Sequence, residues 1–116
     1  MAAAPIVLAL QPFALVDSIV GADAEFVGKH IGGAAGGSLR VSAAELEALL
    51  QAALQAAGGV DASRAGGAGT NFARTVALLG VPVGLVGAAG TDDWGVLFRD
   101  TVTASGAQLK AFNENT

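Results

Sequence analysis

The chain has 116 residues, of which 53% are hydrophobic and only 14% charged, with a net charge of −4, one histidine and no cysteine. That length holds one domain at most, and the apolar fraction excludes a disordered chain and leaves surface suited to being covered by another. The six Lys and Arg form no run, which argues against a nucleic-acid partner, and the lack of cysteine excludes disulfides and thiolate metal sites.

The first ten residues are apolar but carry no basic n-region, and Gln11 and Pro12 interrupt them. The longest uncharged stretch, Thr75 to Thr91, is too short and too rich in glycine for a membrane span. A soluble, cytoplasmic protein without a membrane partner is therefore expected. Residues 5–10 and 13–16 read together as one buried strand that bends near Pro12 and ends at Asp17. An acid directly after an apolar strand stands where open α/β sheets bind ligands. On position alone, Asp17 is equally a solvated turn residue.

Residues 22–30 have the pattern of a short helix, Gly32 to Gly37 that of a turn, and Gly37 to Val41 that of a short strand. Ser42-Ala43-Ala44-Glu45 is a capping box, and in the helix that follows Leu46, Leu49, Leu50 and Leu54 form one apolar stripe, read as core. Gly58 and Gly59 end that helix. The glycine-dense stretch Gly66-Gly67-Ala68-Gly69 then runs into a helix over 70–79, with Phe72, Val76 and Leu79 on one face and Gly80 as its stop. Such a joint brings backbone N–H groups close to a ligand rich in oxygen. Val81 to Ala88 reads as a buried strand, Gly90 to Gly95 as a turn in which Asp92 or Asp93 caps a helix over 94–105, and Ala107 to Phe112 as a further strand. Asn113 to Thr116 is polar and unpatterned. The order β–α–β–α–β–α–β predicts an α/β sheet with crossover helices.

Two nucleotide motifs fail. After Gly67-Ala68-Gly69 a dinucleotide fingerprint requires a small residue where Phe72 stands, and an acid where Val86 and Gly87 stand. Gly32 and Gly37 have P-loop spacing, but Ser38 occupies the place of the lysine. The single His30, a polar-surface residue by its neighbours, gives no hydrolase triad, and the Asp92-Asp93 pair is better suited to a helix cap than to a metal.

Read together, Gly66-Gly67-Ala68-Gly69-Thr70-Asn71-Phe72-Ala73, then Leu79-Gly80, then Gly87-Ala88-Ala89-Gly90-Thr91-Asp92-Asp93-Trp94-Gly95 match G-G-x-x-x-N-x-A, L-G and G-x-x-G-x-D-x-x-G. The chain thereby resembles the N-terminal half of the ribokinase-like (PfkB-type) sugar and nucleoside kinases. The long gap from Asp17 to Gly66 with its capped helix resembles the adenosine-kinase-like branch more than ribokinase itself.

The resemblance implies the N-terminal part of a three-layer α/β/α sandwich, with a lid segment over about 19–42. It implies that Asp17 grips acceptor hydroxyls, that Gly66 and Gly67 let the backbone approach the sugar, and that Asn71 adds a polar contact. Gly90, Asp92 and Gly95 would form a structural turn. In the family a glycine followed by asparagine or glutamate precedes the early aspartate; here Leu10-Gln11-Pro12 occupies that region, and Ala68 replaces a lysine or serine. The implied activity is ATP-dependent phosphorylation of a hydroxymethyl group on a sugar or nucleoside, with ATP and Mg2+ as cofactors. The catalytic base, an aspartate in a G-A-G-D motif, and the ATP site belong to the family's C-terminal half, so a chain ending at Thr116 is expected to be an incomplete kinase domain, inactive alone. The alternative is a non-catalytic sugar-binding or self-associating module.

Overall fold

The computed structural model describes residues 3–32, 36–57 and 60–115. The elements in chain order are β1 (Val7–Gln11), β2 (Leu15–Val20), α1 (Ala24–His30), α2 (Ala43–Ala57), β3 (Val60–Gly66), α3 (Ala68–Leu78), β4 (Val83–Gly90), α4 (Asp93–Ala104), β5 (Gln108–Leu109) and β6 (Asn113–Asn115). The chain is α/β, as expected, and divides into two compact units: Met1–Asp17 with Arg64–Thr116, and Ser18–Ser63. The unit boundaries fall inside β2 and β3, which pair in a two-stranded sheet.

The first unit is built on a parallel sheet. β4 is its central strand, with β1 on one edge and β5 and β6 on the other. Val7 lies opposite Val83 and Gln11 opposite Gly87; Ala88 to Gly90 pair with Asn113 to Asn115. β4 is the apolar run Val83–Gly90, and its Val83, Leu85 and Ala89 are buried, as a doubly flanked parallel strand requires. α3 packs on β1 and β4, and α4 on β4 and β5. Their core contains Ala9, Ala65, Ala73, Val83, Leu85, Phe98 and Val102, with Phe112 stacked on Phe98 at 5.8 Å between ring centroids.

Several expectations are corrected here. The single strand expected over 5–16 is two strands in different sheets, because the chain bends at Pro12 and Phe13 after Gln11. Asp17 therefore lies inside β2 and not beyond a strand end. β3 occupies part of what reads as a glycine turn, since its small and polar residues hide any alternation. Asn113–Asn115, unpatterned in sequence, is held as β6 by the edge of β4. Residues 37–41 form no strand; only Leu39 and Val41 there are apolar enough to fix a register. The expected face of α3 is also wrong: Phe72 and Leu79 are exposed, and the buried residues are Thr70 and Ala73, small enough to let the helix approach the sheet.

The second unit contains α1 and α2. Asp23 caps α1 by accepting from the Phe26 N–H at 2.8 Å, and the Ser42 hydroxyl accepts from Glu45 N–H at 3.2 Å at the start of α2, as its capping sequence predicts. The α2 stripe is not core throughout: Leu46 and Leu54 are about half exposed, and it is Ala53 that is buried. His30 is exposed, with its ring 4.5 Å from that of Phe26. The expected turn at Gly32 to Gly37 and the stop at Gly58 and Gly59 fall largely outside the described residues, although Gly32 has the positive φ such a turn needs. Among the described residues, no helix is long and apolar enough to cross a membrane.

Candidate functional site

The site is assembled where β1 ends and α3 begins. β2 alternates exposed and half-buried residues, so Val16 packs toward the core while Asp17 projects from the opposite face into solvent. β3 brings Gly66 beneath that carboxylate. A Cβ on Gly66 would collide with Asp17 Oδ2 and stand 2.6 Å from its Cγ, so only glycine leaves room for the acid where it is. Gly67 follows with φ of +93°, in the region that favours glycine, and turns the chain into α3.

The first N–H groups of a helix have no acceptor within it. At α3 the N-cap is Gly67, which has no side chain, and the missing cap comes from Gln11: its Oε1 accepts from the Thr70 N–H at 2.9 Å. The Gln11 amide nitrogen donates to the carbonyls of Phe13 and Gly66, each at 3.0 Å. Asn71 is exposed in the same first turn, and its own N–H donates to the Gly67 carbonyl at 2.9 Å. The structure thus brings Asp17 to Gly66, and Gly67 and Asn71 follow Gly66 into the first turn of α3. An exposed carboxylate that accepts, beside a helix N-terminus that donates, suits a ligand bearing several hydroxyls.

Gly90, Asp92 and Gly95 make a second joint, with contacts among themselves. Asp92 is the N-cap of α4, its Oδ1 accepting from Gly95 N–H at 2.9 Å. A Cβ on Gly95 would collide with the Gly90 carbonyl oxygen. That oxygen also accepts from Arg99 Nη1 at 2.9 Å. Beside this joint lies an open cleft of about 330 Å³ lined by Ala14, Val16, Gly90, Asp92, Trp94 and Gly95. Val16 lines it and Asp17 faces away.

The family model for pfkB family carbohydrate kinases matches residues 47–110, more than half of the chain. The chain belongs to this family. Among solved structures, the pfkB-family fold recurs in the adenosine kinase from Sinorhizobium meliloti, at 25% identity and a TM-score of 0.72, covering 97% of this chain and 33% of that one. The adenosine kinase from Trypanosoma brucei brucei matches at 23% identity and a TM-score of 0.75, covering 99% of this chain and 34% of that one. The fructokinase from Halothermothrix orenii matches at 18% identity and a TM-score of 0.55, covering 95% and 29%. The chain thus spans about a third of the length of the kinase structures it matches. No curated protein matches the sequence.

Kinases of the pfkB family use ATP and Mg2+. Among the described residues, no group of three or more His, Cys, Asp or Glu comes together. Sequence reasoning in this pfkB-family chain missed Gln11. The available signal was a lone amide side chain closing an apolar strand, ahead of two glycines that make room for it. It also missed Arg74, whose Nη1 reaches the Ala65 carbonyl at 3.4 Å, and Arg99.

Proposed function

We propose that this chain supplies the acceptor-binding part of an ATP-dependent phosphotransferase acting on a hydroxymethyl group of a sugar or nucleoside. The observation that carries this reading is the Asp17 carboxylate held over Gly66 beside the N-terminus of α3. Asp17 accepts from acceptor hydroxyls; Gly66 and Gly67 keep the backbone low enough for a sugar to approach; Asn71 adds a polar contact at the rim. Gly90, Asp92 and Gly95 hold the sheet–helix joint and touch no substrate. Residues 19–42 are the lid segment in this reading. Support comes from family membership and from the adenosine kinases and fructokinase whose fold it shares. Transfer requires both substrates in place and charge stabilised on the moving group. The chain spans about a third of the length of such kinases, and acceptor binding is the part of the reaction this reading assigns to it. Calorimetric titration with adenosine, ribose and fructose tests this: saturable heat with at least one supports it, and no heat with any opposes it.

A second reading, self-association, is favoured by one observation. Ile6, Leu8 and Leu10 are 78%, 55% and 72% exposed along β1, whereas parallel sheets are ordinarily covered on both faces. Sedimentation velocity across a concentration series tests it: a dimer forming at micromolar chain supports it, and a monomer throughout opposes it.

A further inference from the structure

Gln11 uses its hydrogen-bonding capacity on the backbone of three segments. Its two amide protons go to the carbonyls of Phe13 and Gly66, and its Oε1 takes the Thr70 N–H from a position 59 residues earlier in the chain. The glycines around it are shaped to this side chain. A Cβ at Gly67 would stand 2.5 Å from Gln11 Oε1 and 2.6 Å from Nε2, and one at Gly69 would stand 2.9 Å from the Leu10 carbonyl oxygen and 3.1 Å from Gln11 Cβ. Two glycines of the motif therefore clear a seat for Gln11. The carbonyl it holds belongs to Gly66, the residue whose open Cα face carries the Asp17 carboxylate.

We infer that Gln11 is a positioning residue for the acceptor site: through Gly66 it sets the height of the backbone under Asp17, and through Thr70 it sets the direction of α3. The inference rests on the reading that Asp17 holds acceptor hydroxyls. Gln11 touches no substrate in this arrangement, because its amide is committed to the backbone. Glutamine is the side chain that meets all three demands. Glutamate accepts but cannot donate, so Gln11→Glu keeps the Thr70 cap, favoured further by the positive end of the helix, and loses both carbonyl contacts. Asparagine is one methylene too short to span the same gap, and alanine makes none of the contacts.

The test is nuclear magnetic resonance on the isotope-labelled chain. In the wild type, the Gln11 side-chain amide protons and the Thr70 amide exchange with solvent more slowly than free amides by about tenfold or more, as hydrogen-bonded groups do. In Gln11→Glu, Thr70 stays protected while the Gly66 amide and the Asp17 carboxyl carbon shift, and affinity for adenosine or ribose falls by about tenfold, the scale of one lost hydrogen bond. Gln11→Ala also exposes Thr70. Solvent-rate exchange of the Gln11 side chain in the wild type overturns the inference, whether or not the variants fold. So does a folded Gln11→Glu whose Asp17 resonance is unmoved. A wild type that binds none of adenosine, ribose and fructose refutes the acceptor reading, while the exchange rates and the Asp17 resonance still decide whether Gln11 positions the site.

Discussion

The Asp17 carboxylate rests on the open face of Gly66, closer than any β-carbon at that position would permit. The acid and the glycine come from neighbouring paired strands, β2 and β3, and are separated by the whole of the second unit in sequence. Gly66→Ala must push the carboxylate aside. Because an exposed aspartate rotates easily, the stability cost is small, about 1 kcal/mol, and the effect falls on binding. Urea unfolding and calorimetry are expected to show a midpoint lowered by about 0.5–1 M in Gly66→Ala and nearly unchanged in Asp17→Asn, with acceptor heat lost in both although both remain folded.

At the second joint the contact is with backbone, which cannot turn away. Gly95→Ala drives a methyl into the Gly90 carbonyl oxygen and is expected to destabilise by about 2–3 kcal/mol, the upper range for overpacking. Asp92→Ala removes only the cap on Gly95 N–H and costs about 1 kcal/mol. Thermal unfolding of the two variants should rank them in that order.

Thr70 is fully buried, and its hydroxyl oxygen has no hydrogen-bond partner among the described residues. A buried unsatisfied hydroxyl costs about 1–3 kcal/mol, and valine has nearly the same shape without it. Thr70→Val is expected to raise the unfolding midpoint in urea, and a fall would show that the hydroxyl is satisfied in solution.

Leu8 and Leu10 point out from β1 and contribute little to the core, since the buried residue between them is Ala9. Leu10→Lys should change stability by less than about 0.5 kcal/mol, as surface substitutions do. If the chain pairs through this face, the same substitution shifts the sedimentation coefficient toward the monomer.

Where local chemistry alone decides, the sequence was sufficient. Ser42 caps α2 as its sequence predicts, and of the two candidates Asp92 and Asp93 it is Asp92 that caps α4, because a side-chain oxygen three residues before a free N–H is a short-range arrangement. The apolar run Val81 to Ala88 is legible as a buried strand from its composition alone, and β4 occupies Val83–Gly90. Long-range arrangements were hidden. Nothing near Gln11 announces that its amide reaches Gly66 and Thr70, and nothing near Asn113 announces the edge of β4. The apolar stripes of α2 and α3 predicted helices correctly but not burial, because periodicity shows which residues share a face and not what covers it. For the site, the motif glycines and Asp17 stood out in sequence, whereas the contact of Asp17 with Gly66 and the seat of Gln11 between Gly67 and Gly69 became visible only in three dimensions.

Titration of the isotope-labelled chain with adenosine and with ribose, followed amide by amide, decides whether Asp17 holds acceptor hydroxyls. Saturable shifts are expected at Asp17, Gly66, Gly67 and Asn71 with at least one of the two, abolished in Asp17→Asn while the remaining spectrum stays that of a folded chain. Shifts confined to other residues, or binding that survives Asp17→Asn unchanged, would contradict that role of Asp17.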